Sequence, residues 1–265
     1  MAQPKNDLML SKAYKKRQKI SASGFRYRGI VTSRLENLTD AVFGFSITLL
    51  VIASEVPTNY VELEASMYGF SGFIFCILLL LGIWNNHNNF FLYYGMQDRL
   101  TKTLTFLFLF LLLFYIYPLK YLFSYLGTAL YARLKMSMGD QSEALQLALN
   151  KLNESNLTTP EWENIMIRFG LGLFFIYLLL GFMHVHALRK KEQLDLNELE
   201  VYETKTFIQS YLILVLVAVV SMSIVLIFGG TASPYSGSVY ALIPVALGLN
   251  RKRRKKKQPK LSLAE

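Results

Sequence analysis

An aspartate stands near the head of a long apolar stretch, Arg34-Leu-Glu-Asn-Leu-Thr-Asp40-Ala-Val-Phe-Gly-Phe45-Ser-Ile-Thr48-Leu-Leu-Val-Ile52. An ionised side chain costs ~2.5–3.5 kcal/mol near mid-bilayer and less towards the surface, so Asp40 calls for a cationic or hydrogen-bonding partner. At about 100° per residue, Ala41, Phe45, Thr48, Leu49 and Ile52 fall on one stripe of a helix. Asp40 lies well round from that stripe and should face neighbouring protein. A second apolar stretch ends Ile83-Trp84-Asn85-Asn86-His87 and returns polar groups to the same depth. A network of Arg34, Asp40, Asn85, Asn86 and His87 would satisfy groups that lipid cannot. The alternative is an ordinary polar helix end at headgroup level. The stripe also has two readings, a face that packs or a face that lines a path.

The other reactive residue types stand alone. His184 and His186 are two apart, on different faces of a helix, which suits interfacial polar residues better than a shared metal site. Lys120 either snorkels to the interface or borders an ion pathway. Glu55, beside Pro57, is a solvated helix end or a charge at a mouth. Cys76, the only cysteine, reads as packing and excludes a disulfide scaffold. No Gly-rich phosphate loop, Gly-x-Ser-x-Gly or membrane-embedded carboxylate–histidine cluster occurs, so neither an enzyme nor a cofactor or metal is expected.

The elements that must position these residues belong to a membrane protein. Of 265 residues, 53% are hydrophobic and 17% charged, yet the net charge is +10; soluble domains run nearer 45–50% apolar and ~25% charged. With 19 Phe and 16 Tyr, disorder is excluded as well. Six apolar segments follow one another, at about 38–56, 66–88, 103–126, 166–187, 206–228 and 235–249. The middle four reach the ~20 residues that cross a bilayer; the first and last are shorter, and the last contains Pro244. The predicted class is an all-α polytopic protein with six transmembrane helices.

Charge placement orients it. With six spans, every Lys and Arg except Lys120, Arg133, Lys135, Lys151 and Arg168 falls on the side of the termini, which is therefore cytoplasmic. Residues 1–36 form a basic cytoplasmic segment, 37–249 the membrane body with an outer loop at 127–165, and 250–265 a basic cytoplasmic tail. Residues 141–152 suggest a short amphipathic helix within that loop, and Thr159-Pro160 with Glu161 opens the next helix. The two tails hold the positive charge and leave the body mildly acidic. They read as topology determinants and contacts to anionic lipid, not as a nucleic-acid site.

Arg34 followed by Asp40, the Ile47-Thr-Leu-Leu-Val51 run behind them, and Trp84-Asn-Asn-His87 closing the second span resemble the transmembrane protein 175 family. These are potassium channels of bacterial membranes and animal endolysosomes. Tyr117-Pro-Leu-Lys120 is similar to some bacterial members, and the resemblance covers roughly residues 34–126 by motif. It implies a channel without a Thr-Val-Gly-Tyr-Gly filter, its pore lined by the first helix. Only one Arg…Asp motif is present, so four chains, a homotetramer, are implied. The family's constriction positions fall on Phe45, Thr48 or Leu49, and Ile52, with Arg34, Asp40, Trp84, Asn85, Asn86 and His87 as the anchoring network. Two departures bear on selectivity: Leu38-Thr39-Asp40 replaces Phe-Ser-Asp, and Phe45 stands where Ile or Leu is usual.

The expectation is a potassium-preferring channel of a bacterial plasma membrane, with potassium as the permeant ion. A secondary transporter or proton pathway would call for internal repeats and mid-span acids. In a non-conducting scaffold the first-helix stripe would only pack.

Overall fold

The computed structural model describes residues 20, 21, 23–52, 56–155 and 157–259. Helix α1 (Arg34–Ile52) starts at Arg34, ahead of the apolar segment at about 38, and a capping box opens it. The Glu36 carboxylate accepts from the Ser33 N–H at 2.8 Å, and Ser33 Oγ accepts from the Glu36 N–H at 3.2 Å. Residues 53–55 of the expected span, Glu55 among them, lie outside the described residues. A short helix not foreseen in the sequence, α2 (Tyr60–Met67), follows; Asn59 caps it through the Glu62 N–H.

Helices α3 (Phe70–Tyr94) and α4 (Arg99–Ser137) turn about Gly95, whose φ of 59° lies in the left-handed region. They approach most closely at Gly72 and Gly127: a Cβ on Gly72 would sit 1.8 Å from the Phe123 carbonyl oxygen. Helix α4 has 39 residues, so it runs well past the expected end at 126. At ~1.5 Å per residue it exceeds a ~30 Å hydrocarbon layer by a wide margin. Within the outer segment 127–165, the helix expected at 141–152 is α5 (Glu143–Glu154) and the one expected to open at Thr159-Pro160 is α6 (Thr159–Arg189); the departure is that the end of α4 fills residues 127–137. Helices α2 and α5 pack on each other around Ala65, Tyr68, Leu145 and Ala148, a small core of their own.

Thr158 and Glu161 form the capping box that starts α6, with Pro160 in its first turn. Helix α7 (Glu198–Phe228) pairs with α6 more extensively than any other two elements. The chain then turns at Gly229 into a single 3-10 turn and α8 (Ser233–Val239). A second 3-10 turn leads into α9 (Ile243–Lys256). This run goes back alongside α7. Ser236 meets Ser221 at 2.8 Å, Asn250 donates to Ser210 at 3.4 Å, and Arg254 donates to Thr206 at 2.9 Å. The expected single helix at 235–249 is broken just before Pro244, whose ring and missing N–H disfavour a preceding α-helical turn.

Helices α3, α4, α6 and α7 are each long and apolar enough to cross a membrane. Among the described residues there is no strand, only an isolated bridge between Ile20 and Arg26. The protein is an all-helical membrane protein.

Because Gly72 and Gly127 set the α3–α4 spacing, Gly72→Val should force the helices apart. Overpacking of this kind costs about 1–3 kcal/mol. A lowered unfolding temperature of the detergent-solubilised protein is expected, and an unchanged one would show that the crossing tolerates a side chain.

Candidate pore helix and its anchors

Helix α1 has two unlike faces. Leu35, Thr39, Phe43, Ser46 and Leu50 are buried, at the i, i+4, i+8, i+11, i+15 spacing of one helical face, and α1 packs on α3 and α4. The hydroxyls on this face are satisfied within the helix: Thr39 donates to the Leu35 carbonyl at 2.9 Å and Ser46 to that of Val42 at 2.7 Å. The opposite face carries Ala41, Phe45 and Thr48, all exposed; Phe45 is 58% exposed. Leu49 is half-buried at its border. Ile52 ends the helix, and its side chain lies outside the described residues. Thr48 Oγ donates to the Phe45 carbonyl at 2.7 Å. With its proton committed to the backbone, the hydroxyl oxygen has its lone pairs left for an acceptor role or a cation.

Asp40 and Trp84 are brought together: the indole N–H donates to the carboxylate at 2.8 Å. The rest of the expected network divides. His87 is 1% exposed and stacks on Phe108 at 4.6 Å, and Phe108 touches Phe43 of α1 at 6.0 Å. His87 thus acts on α1 through two aromatic contacts, while its Nε2 has no partner among the described residues. Asn86 donates to the Gly82 carbonyl at 2.8 Å and accepts from Tyr211 at 3.4 Å. Asn85 and Arg34 are exposed, and neither reaches Asp40.

Two further anchors escaped the sequence reading. Arg26 and Arg28, counted with the basic tail, both bind Glu200, whose side chain has no exposed surface. Arg26 Nη2 lies 2.8 Å and Arg28 Nη2 2.7 Å from Glu200 Oε2. The same carboxylate accepts from the Asn197 N–H at 3.0 Å, so it caps α7 as well. Hydrogen bonding to Glu200 raises the Arg26 pKa above its ordinary value, against the opposing effect of burial. Beside this clamp the Arg28 and Gly29 N–H groups donate to the Leu92 carbonyl at 3.0 and 3.1 Å, and Phe25 is buried against Tyr93 and Tyr94. Residues 25–29 are therefore fixed to the end of α3 just before α1 begins.

The second anchor is Asp98, which accepts from Thr101 at 2.6 Å and pairs with His186 at 2.8 Å and Lys190 at 3.4 Å. Burial disfavours its charge, but those partners outweigh burial and hold its pKa down to about 2. It ties the α3–α4 turn to the end of α6. His184, expected at the interface, is instead buried among Phe90, Tyr94, Phe207 and Tyr211. Among the described residues no three His, Cys, Asp or Glu side chains gather as a metal site. The arrangement holds one face of α1 and leaves the other bare.

Residues 34–116 match the family described as "Endosomal/lysosomal potassium channel TMEM175". A protein named "Potassium channel" from Marivirga tractuosa is 35% identical over 236 residues, covering 88% of this chain and 92% of that protein. A potassium channel from Streptomyces collinus is 26% identical over 173 residues, covering 59% of this chain and 84% of its own. Among solved structures, a threonine-to-alanine variant of the potassium channel MtTMEM175, in complex with a nanobody–MBP fusion protein, aligns with a TM-score of 0.74 at 32% identity. That match covers 91% of this chain and 100% of the other.

Removing the acid from a buried pair strands the cations, so Glu200→Ala should cost about 3–5 kcal/mol, seen as a large drop in unfolding temperature. Arg34→Ala in the isolated protomer should cost little by comparison. The depressed Asp98 pKa means that its ionised form stabilises the fold above the ordinary carboxylate range, and that this contribution fades as Asp98 protonates. The stability gap between the native chain and Asp98→Asn should accordingly narrow as pH falls from about 5 to about 2. A gap independent of pH would contradict the ion pair.

Proposed function

The chain belongs to the TMEM175 potassium-channel family, and from that membership we propose that four copies surround a pore lined by the bare face of α1. Potassium is the permeant ion. The observation that carries this reading is the division of α1: one side is packed on α3 and α4, while Phe45 and Thr48 share the exposed side. Facing a common axis, rings of Phe45, Leu49 and Ile52 would form a hydrophobic constriction that closes by dewetting. Between them a ring of Thr48 oxygens would replace part of the ion's hydration shell. Asp40 and Trp84 hold α1 against α3, with His87 behind them. Arg34 and Asn85, exposed in one protomer, would meet a neighbouring copy, while Asn86 stays bonded to Gly82 and Tyr211 of its own.

Six crossings account for the architecture: α1, α3, α4, α6, α7 and the broken run of α8 and α9. Support for the last comes from the hydrogen bonds that track it along α7 from Ser221 to Thr206. In this arrangement residues 1–36 and 250–265 lie on the cytoplasmic side of a plasma membrane, and 37–249 form the channel body. The other basic residues of both ends would meet anionic lipid. Arg26, Arg28 and Arg254 are already engaged within the fold.

Reconstitution in liposomes under opposed potassium and sodium gradients tests the pore. Thr48→Ala should lower the potassium preference by about tenfold, the factor that ~1.4 kcal/mol of lost coordination gives, and shift the reversal potential accordingly. Phe45→Ala should raise the resting leak, and Ile52→Ala should do the same. Unchanged currents and reversal potentials in all three variants would overturn the assignment of α1 to the pore.

A further inference from the structure

A cavity of about 1650 Å³ opens between α1, α3, α4, α5 and α6, at the end of the bundle away from the chain termini. Its walls change chemistry with depth. Along α6 the lining runs from Asn164 and Arg168 to Leu171 and Phe175. Along α4, which runs the other way, it passes from Thr128, Ser124 and Lys120 to Phe114 and Leu111. Both helices are polar at the same end and apolar below it. Where the polar part begins, Trp162 packs edge-on against Tyr125 at 5.2 Å, and paired aromatic residues of this kind sit at membrane–water boundaries.

The polar part is lined by the cations Lys151 and Arg168 and by one acid, Glu161, while Glu62 of α2 lies near Lys151 outside the lining. Arg168 is exposed well inside α6 and makes no ion pair among the described residues. A cation at that depth is costly unless an anion meets it. The space also exceeds the ~300–1,000 Å³ of ordinary small-molecule sites. An apolar helix face from a second copy would fill the lower part and leave Arg168 unmatched.

We propose that this cavity binds an anionic phospholipid from the adjoining leaflet. Its phosphate lies between Arg168 and Lys151, and an acyl chain descends past Leu171 towards Phe114. Leu50 and Val51 line the same cavity, so the lipid packs against the last turns of α1.

The test is native mass spectrometry of the full chain extracted from vesicles of mixed phosphatidylglycerol and phosphatidylcholine. The native protein should retain phosphatidylglycerol in preference to phosphatidylcholine. Arg168→Gln should lower that retention about fivefold, the factor for loss of one cation at a charged surface. Arg168→Lys should preserve it, which separates loss of charge from misfolding. Equal retention of the two lipids, or unchanged retention in Arg168→Gln, overturns the site. So does photocrosslinking of a Ser124→p-benzoylphenylalanine variant to a second copy of the chain instead of to lipid.

Discussion

Hydrocarbon offers a peptide group no hydrogen-bond partner, and each apolar stretch of this chain closes its hydrogen bonds within itself as a helix. The same constraint governs the side chains. Thr39, Ser46 and Thr48 turn their hydroxyl protons onto their own helix, and Asp40 takes the indole proton of Trp84. Where a full charge is buried, the compensation is larger: Glu200 gathers two guanidinium groups and also caps α7. The charged commitments, Glu200 with two arginines and Asp98 with His186 and Lys190, lie at helix ends and help decide how the helices meet. The apolar lengths between them decide only that they cross.

Helices α3, α4, α6 and α7 were legible because an apolar run of that length has one economical conformation. Their ends were less so. Helix α4 continues beyond residue 126 because Gly127 nests against Gly72 and does not end the helix, and no local signal distinguishes the two. The stripe of α1 followed from helical geometry, and the depth of the Asp40 partner followed from topology. The choice of Trp84 over its polar neighbours did not, since an indole reads as apolar until its N–H is placed. Ser33 and Glu36 carried a readable capping signal that sets the start of α1. Arg26 and Arg28 carried none: in a basic tail they look like any other charge, and their acid is 174 and 172 residues away.

In the proposed pore, function depends on the asymmetry of α1. A helix packed on all sides could not line a path, and one held only at its ends would not keep a constriction narrow. Here contact with α3 and α4 immobilises Phe43 and Leu50, and the rigid backbone presents Phe45 and Thr48 on the other side. Selectivity would thus rest on spacing fixed from behind, by aromatic contacts such as Phe43 with Phe108 and Phe108 with His87.

The separation between Arg26 and Glu200 also has a consequence for biogenesis. Synthesis proceeds from the N-terminus, so α1, α3, α4 and α6 all emerge before the carboxylate that receives Arg26 and Arg28 exists. Until then the segment leading into α1 lacks its buried counter-charge, and α1 enters the membrane with its approach still free to move. Emergence of Glu200 allows the closure of a loop spanning 174 residues, a late step whose entropic cost grows only slowly with loop length. A ribosome stalled before Glu200 would therefore carry a chain whose helices are inserted but whose first helix is not yet locked in place.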